Sequence, residues 1–225
     1  MTNPRIPLVT GEFYHVFNRG VAFQPIFLST RDYKRMLKVI DFYRRSDFPL
    51  RYSKFLLLPK KERQLLWEKV EEKQNYLVKI IAFCLMPNHF HFLLKQERED
   101  GIKEFISQIA NSYTKYFNTK RKRIGPLFQG RFKAVRVETE AQLLHLSRYI
   151  HLNPFSAYLL KDRNQLTEYP YSSFPEYLGK KELGLCDQGV ILDRSRNRND
   201  YRKFVLDQAD YQRRLEEIKH LFMED

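Results

Sequence analysis

Cysteine is scarce: Cys84 and Cys186 are the two thiols in 225 residues. Two widely spaced cysteines exclude a disulfide framework and a cysteine-rich zinc site. Cys84, inside an apolar run, reads as buried packing. No apolar stretch reaches the roughly 20 residues that a membrane-spanning helix needs. The opening MTNPRIPLVTGEF lacks a charged-then-apolar signal pattern, so the expected compartment is the cytoplasm. Internal repeats and low-complexity segments are absent. Acid is also in short supply, with 27 Asp+Glu against 40 Lys+Arg, for a formal charge of +13.

That imbalance is the first positive signal. A basic chain with 14 Tyr and 18 Phe suits a polyanion that offers flat bases to stack on. The plainer reading is solvated lysine. An anionic membrane would use the same charge, but no long amphipathic basic helix is present to lie on one. With 43% hydrophobic and 30% charged residues, the composition is that of a globular protein able to build a real core. The length suits one domain with decorations, or a domain plus a short second unit.

The alternating EFYHVFN of residues 12–18 predicts a strand that ends at Arg19-Gly20. Ser29 or Thr30 caps a helix to about Ser46, with Tyr33, Leu37, Ile40 and Phe42 as its apolar face. Residues 54–74 read as helix broken near Pro59, with Leu65, Leu66, Trp67 and Val70 buried. This helical segment, about 48–75, resembles an insertion between core elements. Residues 76–85 and 89–95 predict two strands around the turn Met86-Pro87-Asn88, together a central antiparallel hairpin. A helix follows from Gly101 to about Arg123, then a strand over 131–137. Thr139-x-x-Gln142 is a capping box that opens a further helix, which Pro154 is expected to terminate. The order is βαββαβ plus an extra helix. The expected fold is α+β, ferredoxin-like or RRM-like: one antiparallel sheet with helices on one face. Residues 1–160 are read as the functional domain. Residues 161–225 are read as a loop-rich and helical extension, not independent, with a basic linker at Arg194–Asn199 and a final helix over 200–222.

The sharpest local feature is His89-Phe90-His91-Phe92. On a strand, positions i and i+2 share a face at roughly 6.5–7 Å spacing. Two imidazoles can then share one metal while Phe90 and Phe92 point into a core. The bland alternative is a hydrogen-bonded histidine pair on a sheet surface. On the helix opened by Thr139, His145, Tyr149 and Asn153 form one stripe at i, i+4 and i+8, while Leu143, Leu146 and Ile150 occupy a different side that can pack onto the sheet. If the Asn153 amide joins His89 and His91 on a divalent cation, Tyr149 is carried to the same ion. A phenol with a pKa of about 10 is a poor nucleophile, and a cation that polarises a phosphate and favours phenolate answers that deficit. Attack on DNA would leave a 5′-phosphotyrosine and a 3′-hydroxyl. Two rival tyrosines stand on the preceding helix: Tyr113, on an apolar stripe, reads as core, and Tyr116 as half exposed.

Lys120-Arg121-Lys122-Arg123, with Arg131, Lys133 and Arg136, makes a basic region expected to contact DNA. Phe128, in the intervening GPLFQG, is expected to stack on a base. The alternative for the charge run is a solvated helix end.

Three segments in this order carry a resemblance: CLMPNHFHFLLKQ, SYTKYFNTKRKRIGPLFQGRFK and LSRYIHLNPFSAYLL. They resemble the single-tyrosine HUH transposases of the IS200-like group, most closely the REP-associated tyrosine transposases. EFYHVFNRGVAFQPIFLSTRDYKRML and YPYSSFPEYLG also look like that branch, so the likeness covers roughly residues 11–178. The resemblance implies an RRM-like core and Tyr149 as nucleophile in a Tyr-x-x-x-Asn motif with Asn153. It further implies Mg2+ or Mn2+ held by His89, His91 and Asn153, and action on single-stranded DNA near hairpins, as monomer or homodimer. The insertion and the extension depart from the minimal family pattern. His145 and His151 have no family role. The expected function is a metal-dependent DNA nicking and joining enzyme. The alternatives are a non-catalytic RRM-like nucleic-acid-binding protein and a metal-dependent hydrolase that uses water.

Overall fold

A computed structural model of the chain describes residues 7–221. Its strands are β1 (Phe13–Arg19), β2 (Val78–Met86), β3 (His89–Gln96) and β4 (Lys133–Val137). Its α-helices are α1 (Thr30–Tyr43), α2 (Tyr52–Phe55), α3 (Lys60–Glu72), α4 (Gly101–Arg121), α5 (Glu140–Ser156), α6 (Phe174–Tyr177), α7 (Gly189–Leu192), α8 (Arg198–Leu206) and α9 (Ala209–Leu221). The strands form one sheet in the order β2-β3-β1-β4, antiparallel throughout. That order is the ferredoxin-like arrangement expected from the element sequence.

Alternation along the strands builds two faces. Tyr14, Val16, Phe90, Phe92 and Leu94 are buried with α1 (Met36, Val39, Ile40) and α4 (Ile102, Phe105, Ile109, Tyr113). Cys84, Met86 and Leu93 point the other way, into a second cluster with Leu143 and Ile150 of α5 and Tyr177 and Tyr201 of the extension. β2 serves both clusters by alternation, with a register shift between Ile80 and Ala82. Ile80 and Phe83 lie in the first cluster, Ile81 and Ala82 in the second, as an extra residue in a strand requires.

Pro59 caps α3 and separates it from α2, as the sequence suggests. Trp67 and Leu66 pack on the first cluster, but Leu65 is 57% exposed because it lies off the stripe that carries Leu66, Trp67 and Val70. The insertion is tied to α1: Phe48 stacks on Phe42 at 3.8 Å, and the Arg45 guanidinium lies over Trp67 while pairing with Asp41 and Glu71.

Two boundary expectations are corrected. Pro154 lies inside α5, which continues to Ser156. A proline there forfeits one hydrogen bond to Ile150 near the helix end, where the cost is smallest. The expected final helix over 200–222 is two helices, α8 and α9, with a break at 207–208, and residue 222 lies outside the described residues. The Thr139 hydroxyl does accept from the Gln142 amide at 3.1 Å. The Gln142 side chain returns to the Glu138 N–H at 2.8 Å, one residue before the cap.

The extension covers the outer edge of β2. Leu85 N–H donates to Tyr171 O at 2.9 Å, Ser173 N–H to Phe83 O at 3.0 Å and Asp187 N–H to Ile80 O at 2.8 Å. An edge strand's unpaired amides are thereby satisfied within the chain.

Candidate functional site

The site starts at the β2–β3 turn. Gly20 N–H donates to Asn88 O at 2.7 Å, and Ile26 and Phe27 both donate to Pro87 O, which fixes the entry to β3. Gly20 is needed there: a Cβ would stand 2.1 Å from Gln24 O. β3 then turns Phe90 and Phe92 into the first cluster and His89 and His91 to the opposite face. Across the sheet, one row on that face runs Cys84, His91, Phe17 and Lys133; the next runs Ala82, Leu93, His15 and Val135.

The His89 and His91 rings lie 5.0 Å apart and nearly perpendicular. His91 is only 8% exposed. α5 crosses this face and brings half-buried Tyr149 edge-on to His91, with ring centroids 5.7 Å apart at 86°. Tyr149 is also edge-on to His15 at 6.0 Å. Buried Asn153 stands one turn further along α5, and its amide nitrogen donates to Tyr149 O at 3.0 Å. Gln212 of α9 donates to the same carbonyl at 3.2 Å, and Arg213 grips Phe155 O and Leu160 O. The extension thus packs the tyrosine helix onto the sheet of its own chain.

Among the described residues, no group of three or more His, Cys, Asp or Glu is placed to hold a metal ion. A cation here would therefore combine imidazole nitrogen with a neutral oxygen such as the Asn153 amide. The residues fit that demand. His91 Nδ1 faces His15 Nε2 at 2.9 Å, and His89 Nδ1 faces Asn88 Oδ1 at 2.6 Å. With Nδ1 of each ring engaged by a neighbour, Nε2 is the atom of each that would serve as ligand if a cation bound here.

The rival tyrosines lie on the other side of the sheet. Tyr113 is fully buried, donates to Ile26 O at 2.6 Å and has its hydroxyl pKa pushed far up by burial. Tyr116 donates to Asp32 at 3.0 Å.

The basic residues divide. Lys120 and Arg121 pair with fully buried Asp32 at 2.8 and 2.7 Å. Burial pushes the Asp32 carboxyl up, but Lys120, the Leu28 amide, Arg121 and Tyr116 outweigh it and hold it well below the usual carboxylate range. Arg123 braces the following turn through Asn118, Gly125 O and Pro126 O. Lys122, Arg131, Lys133 and Arg136 are exposed, and Arg136 pairs with Glu12 at 2.8 Å. Phe128 does not match its expected stacking role. It is 6% exposed, packed on Phe90 and Tyr113, so its ring is a core ring with no face to offer a base.

His15 is a site residue beyond those expected from the sequence. Its signal was there, because alternation in EFYHVFN sets His15 on the face of Phe13 and Phe17, away from Tyr14 and Val16. Burial lowers the His15 pKa to about 4, which keeps the ring neutral at physiological pH. His151, also unassigned, is buried and bonded to Ser173 at 2.7 Å and Tyr201 at 2.9 Å, with burial lowering its pKa to about 3. It joins α5 to the extension. His145 contacts Arg148 and Phe204.

Residues 51–153 match the family model described as "Transposase IS200 like", the group whose motifs the sequence resembles. A solved structure described as "Structure of the REP associates tyrosine transposase bound to a REP hairpin" is similar at a TM-score of 0.52 and 18% identity, over 81% of this chain and 90% of that one. At that identity the likeness is one of fold. Among curated proteins none matches the chain. Among the described residues no helix is long and apolar enough to cross a membrane.

Proposed function

From the premise that the segment matched to IS200-like transposases carries His89, His91, Tyr149 and Asn153, we propose that this chain nicks and rejoins single-stranded DNA near hairpins. Tyr149 is the nucleophile. The observation that carries this reading is the Tyr149 ring set edge-on to His91 across one face of the sheet.

Tyr149 Oη attacks the scissile phosphorus, a Tyr–O–P bond forms and the P–O3′ bond breaks. The phenolic proton passes to solvent, and the departing 3′-oxygen takes one from solvent. The product is a 5′-phosphotyrosine and a free 3′-hydroxyl. The new ester retains the energy of the old one, so the reverse attack by a 3′-hydroxyl rejoins strands without ATP. His89 and His91, with the Asn153 amide, would hold Mg2+ or Mn2+, which supplies charge neutralisation at the phosphate and favours phenolate. Packing between His15 and His91 restricts the Tyr149 ring, so less orientational freedom is lost at attack. Lys122, Arg131 and Lys133 are exposed cations open to the DNA backbone, with Lys133 in the same row as His91, whereas Arg136 stands opposite Tyr14 and pairs with Glu12. Lys120 and Arg121 reach DNA only by sharing or leaving Asp32.

The test is a denaturing gel assay for a covalent protein–DNA adduct, using hairpin-flanked single-stranded oligonucleotides with Mg2+ or Mn2+. The adduct is expected in the wild type and absent in Tyr149→Phe and in the His89→Ala/His91→Ala double variant. Binding without an adduct in the wild type would identify a non-catalytic nucleic-acid-binding protein. Cleavage without an adduct would identify a hydrolase that uses water. One chain supplies both the tyrosine and the histidines, so the reaction is assigned to a single chain. A mixture of the Tyr149→Phe and double-histidine proteins is then expected to form no adduct.

A further inference from the structure

We propose that His15 is a positioning residue for His91: it fixes the His91 ring and its tautomer so that His91 offers Nε2 as a metal ligand. This inference rests on the metal-site reading above.

The geometry comes from β1 and β3. His15 is paired across the ladder with Leu93, and Phe17 with His91, so His15 and His91 are diagonal neighbours on one face, within reach of side chains this long. Their rings are 20° from parallel with centroids 5.1 Å apart, and they meet edge to edge, His15 Nε2 lying 2.9 Å from His91 Nδ1. For His91 to ligate through Nε2, its Nδ1 must carry the proton and donate to His15 Nε2. His15 must then accept at Nε2 and carry its own proton on Nδ1. Each ring dictates the tautomer of the other. Phe17 at 4.8 Å and Tyr149 at 6.0 Å pack against His15 and limit its rotation. A polar ring held between apolar neighbours is costly unless hydrogen-bonded, and the bond it makes is to the proposed ligand.

His15 is assigned as a partner of a ligand because the three imidazoles do not converge as a three-histidine site. The first residue of the DNA-facing constellation therefore stands on β1, far upstream of the histidine pair.

Mn2+ binding by the full-length protein without DNA, read by calorimetry or by loss of the free-Mn2+ paramagnetic resonance signal, tests this. His15→Ala is expected to weaken Mn2+ binding by about 10- to 100-fold, the usual cost of removing a ligand's outer partner. His15→Gln, whose amide oxygen can accept from His91, is expected to recover much of the loss. His89→Ala, which removes a ligand, is expected to abolish binding. Wild-type affinity in His15→Ala alongside loss in His89→Ala would overturn the positioning role and leave the metal site standing. Complete loss in both His15→Ala and His15→Gln would also overturn it, by making His15 a ligand. No Mn2+ binding by the wild type would remove the metal-site reading and this inference together. Thermal unfolding of each variant separates a lost fold from a lost site, and His15→Gln keeps the question open to measurement if His15→Ala does not fold.

Discussion

The two faces of the sheet are made by alternate residues of the same strands, yet they are built to opposite ends. Phe90 and Phe92 meet α1 and α4 in a sealed apolar layer, where the strand side chains need nothing but volume and shape. His89 and His91, one residue along in each case, meet imidazole, amide and phenol. The first face sets the position of β3, and the second uses that position. A polar cluster of this kind would not hold its geometry on a loop; backed by a packed core, it is held to within the tolerance of a strand.

The two faces should differ most in substitutions on adjacent residues of β3. Phe90→Ala is expected to lower unfolding free energy by about 3–5 kcal/mol in urea melts. His89→Ala, half-exposed, is expected to cost under about 1 kcal/mol while losing the adduct. Equal destabilisation by the two would show that both faces serve the fold.

Asp32→Asn comes next, since it leaves Lys120 and Arg121 without their buried partner and is expected to cost about 3 kcal/mol. The carboxyl pKa is held below its unfolded value. Its contribution is therefore present above the unfolded pKa of about 3.9 and declines as pH falls below it. The gap between wild type and Asp32→Asn should narrow in denaturant melts taken below about pH 4. A gap that stays constant there would assign the stability to packing.

Tyrosine substitutions sharpen the contrast further. Tyr113→Phe strands the Ile26 carbonyl and is expected to cost about 1–2 kcal/mol with adduct formation intact. Tyr149→Phe is expected to leave the melt near wild type with no adduct. An adduct that survives in Tyr149→Phe but not in Tyr113→Phe would transfer the nucleophile to the other face. The smallest effect belongs to the exposed edge strand. Lys133→Ala should reduce the salt dependence of DNA binding by about one unit of log–log slope, read by fluorescence anisotropy across a salt series. A slope equal to wild type would place the DNA backbone elsewhere.

Much of this arrangement was legible in the residues. A period of two in HFHF separates imidazole from phenylalanine whatever the strand pairs with. A period of 3.6 sets Tyr149 and Asn153 on one stripe of α5. Phe128 was misread because an aromatic in a glycine-flanked turn looks available, and only the neighbouring rings of Phe90 and Tyr113 show that it is enclosed. Lys120 and Arg121 look available to DNA in the sequence because their acid, Asp32, lies near the start of α1. Pro154 was read as a terminator, although near the end of a helix a proline removes few bonds.

The local patterns of alternation, capping and charge determined the elements, their order and which side chains share a face. These are short-range steric and solvation effects, complete within a few residues. Strand pairing decided what stands opposite what: that His15 meets His91, that Lys133 continues their face, and that β2 is edged by the extension. Helix packing decided that α5 lies across the histidines while α1 and α4 take the other side. Contacts between residues far apart in the chain depend on how the whole core closes, and no local window carries that information.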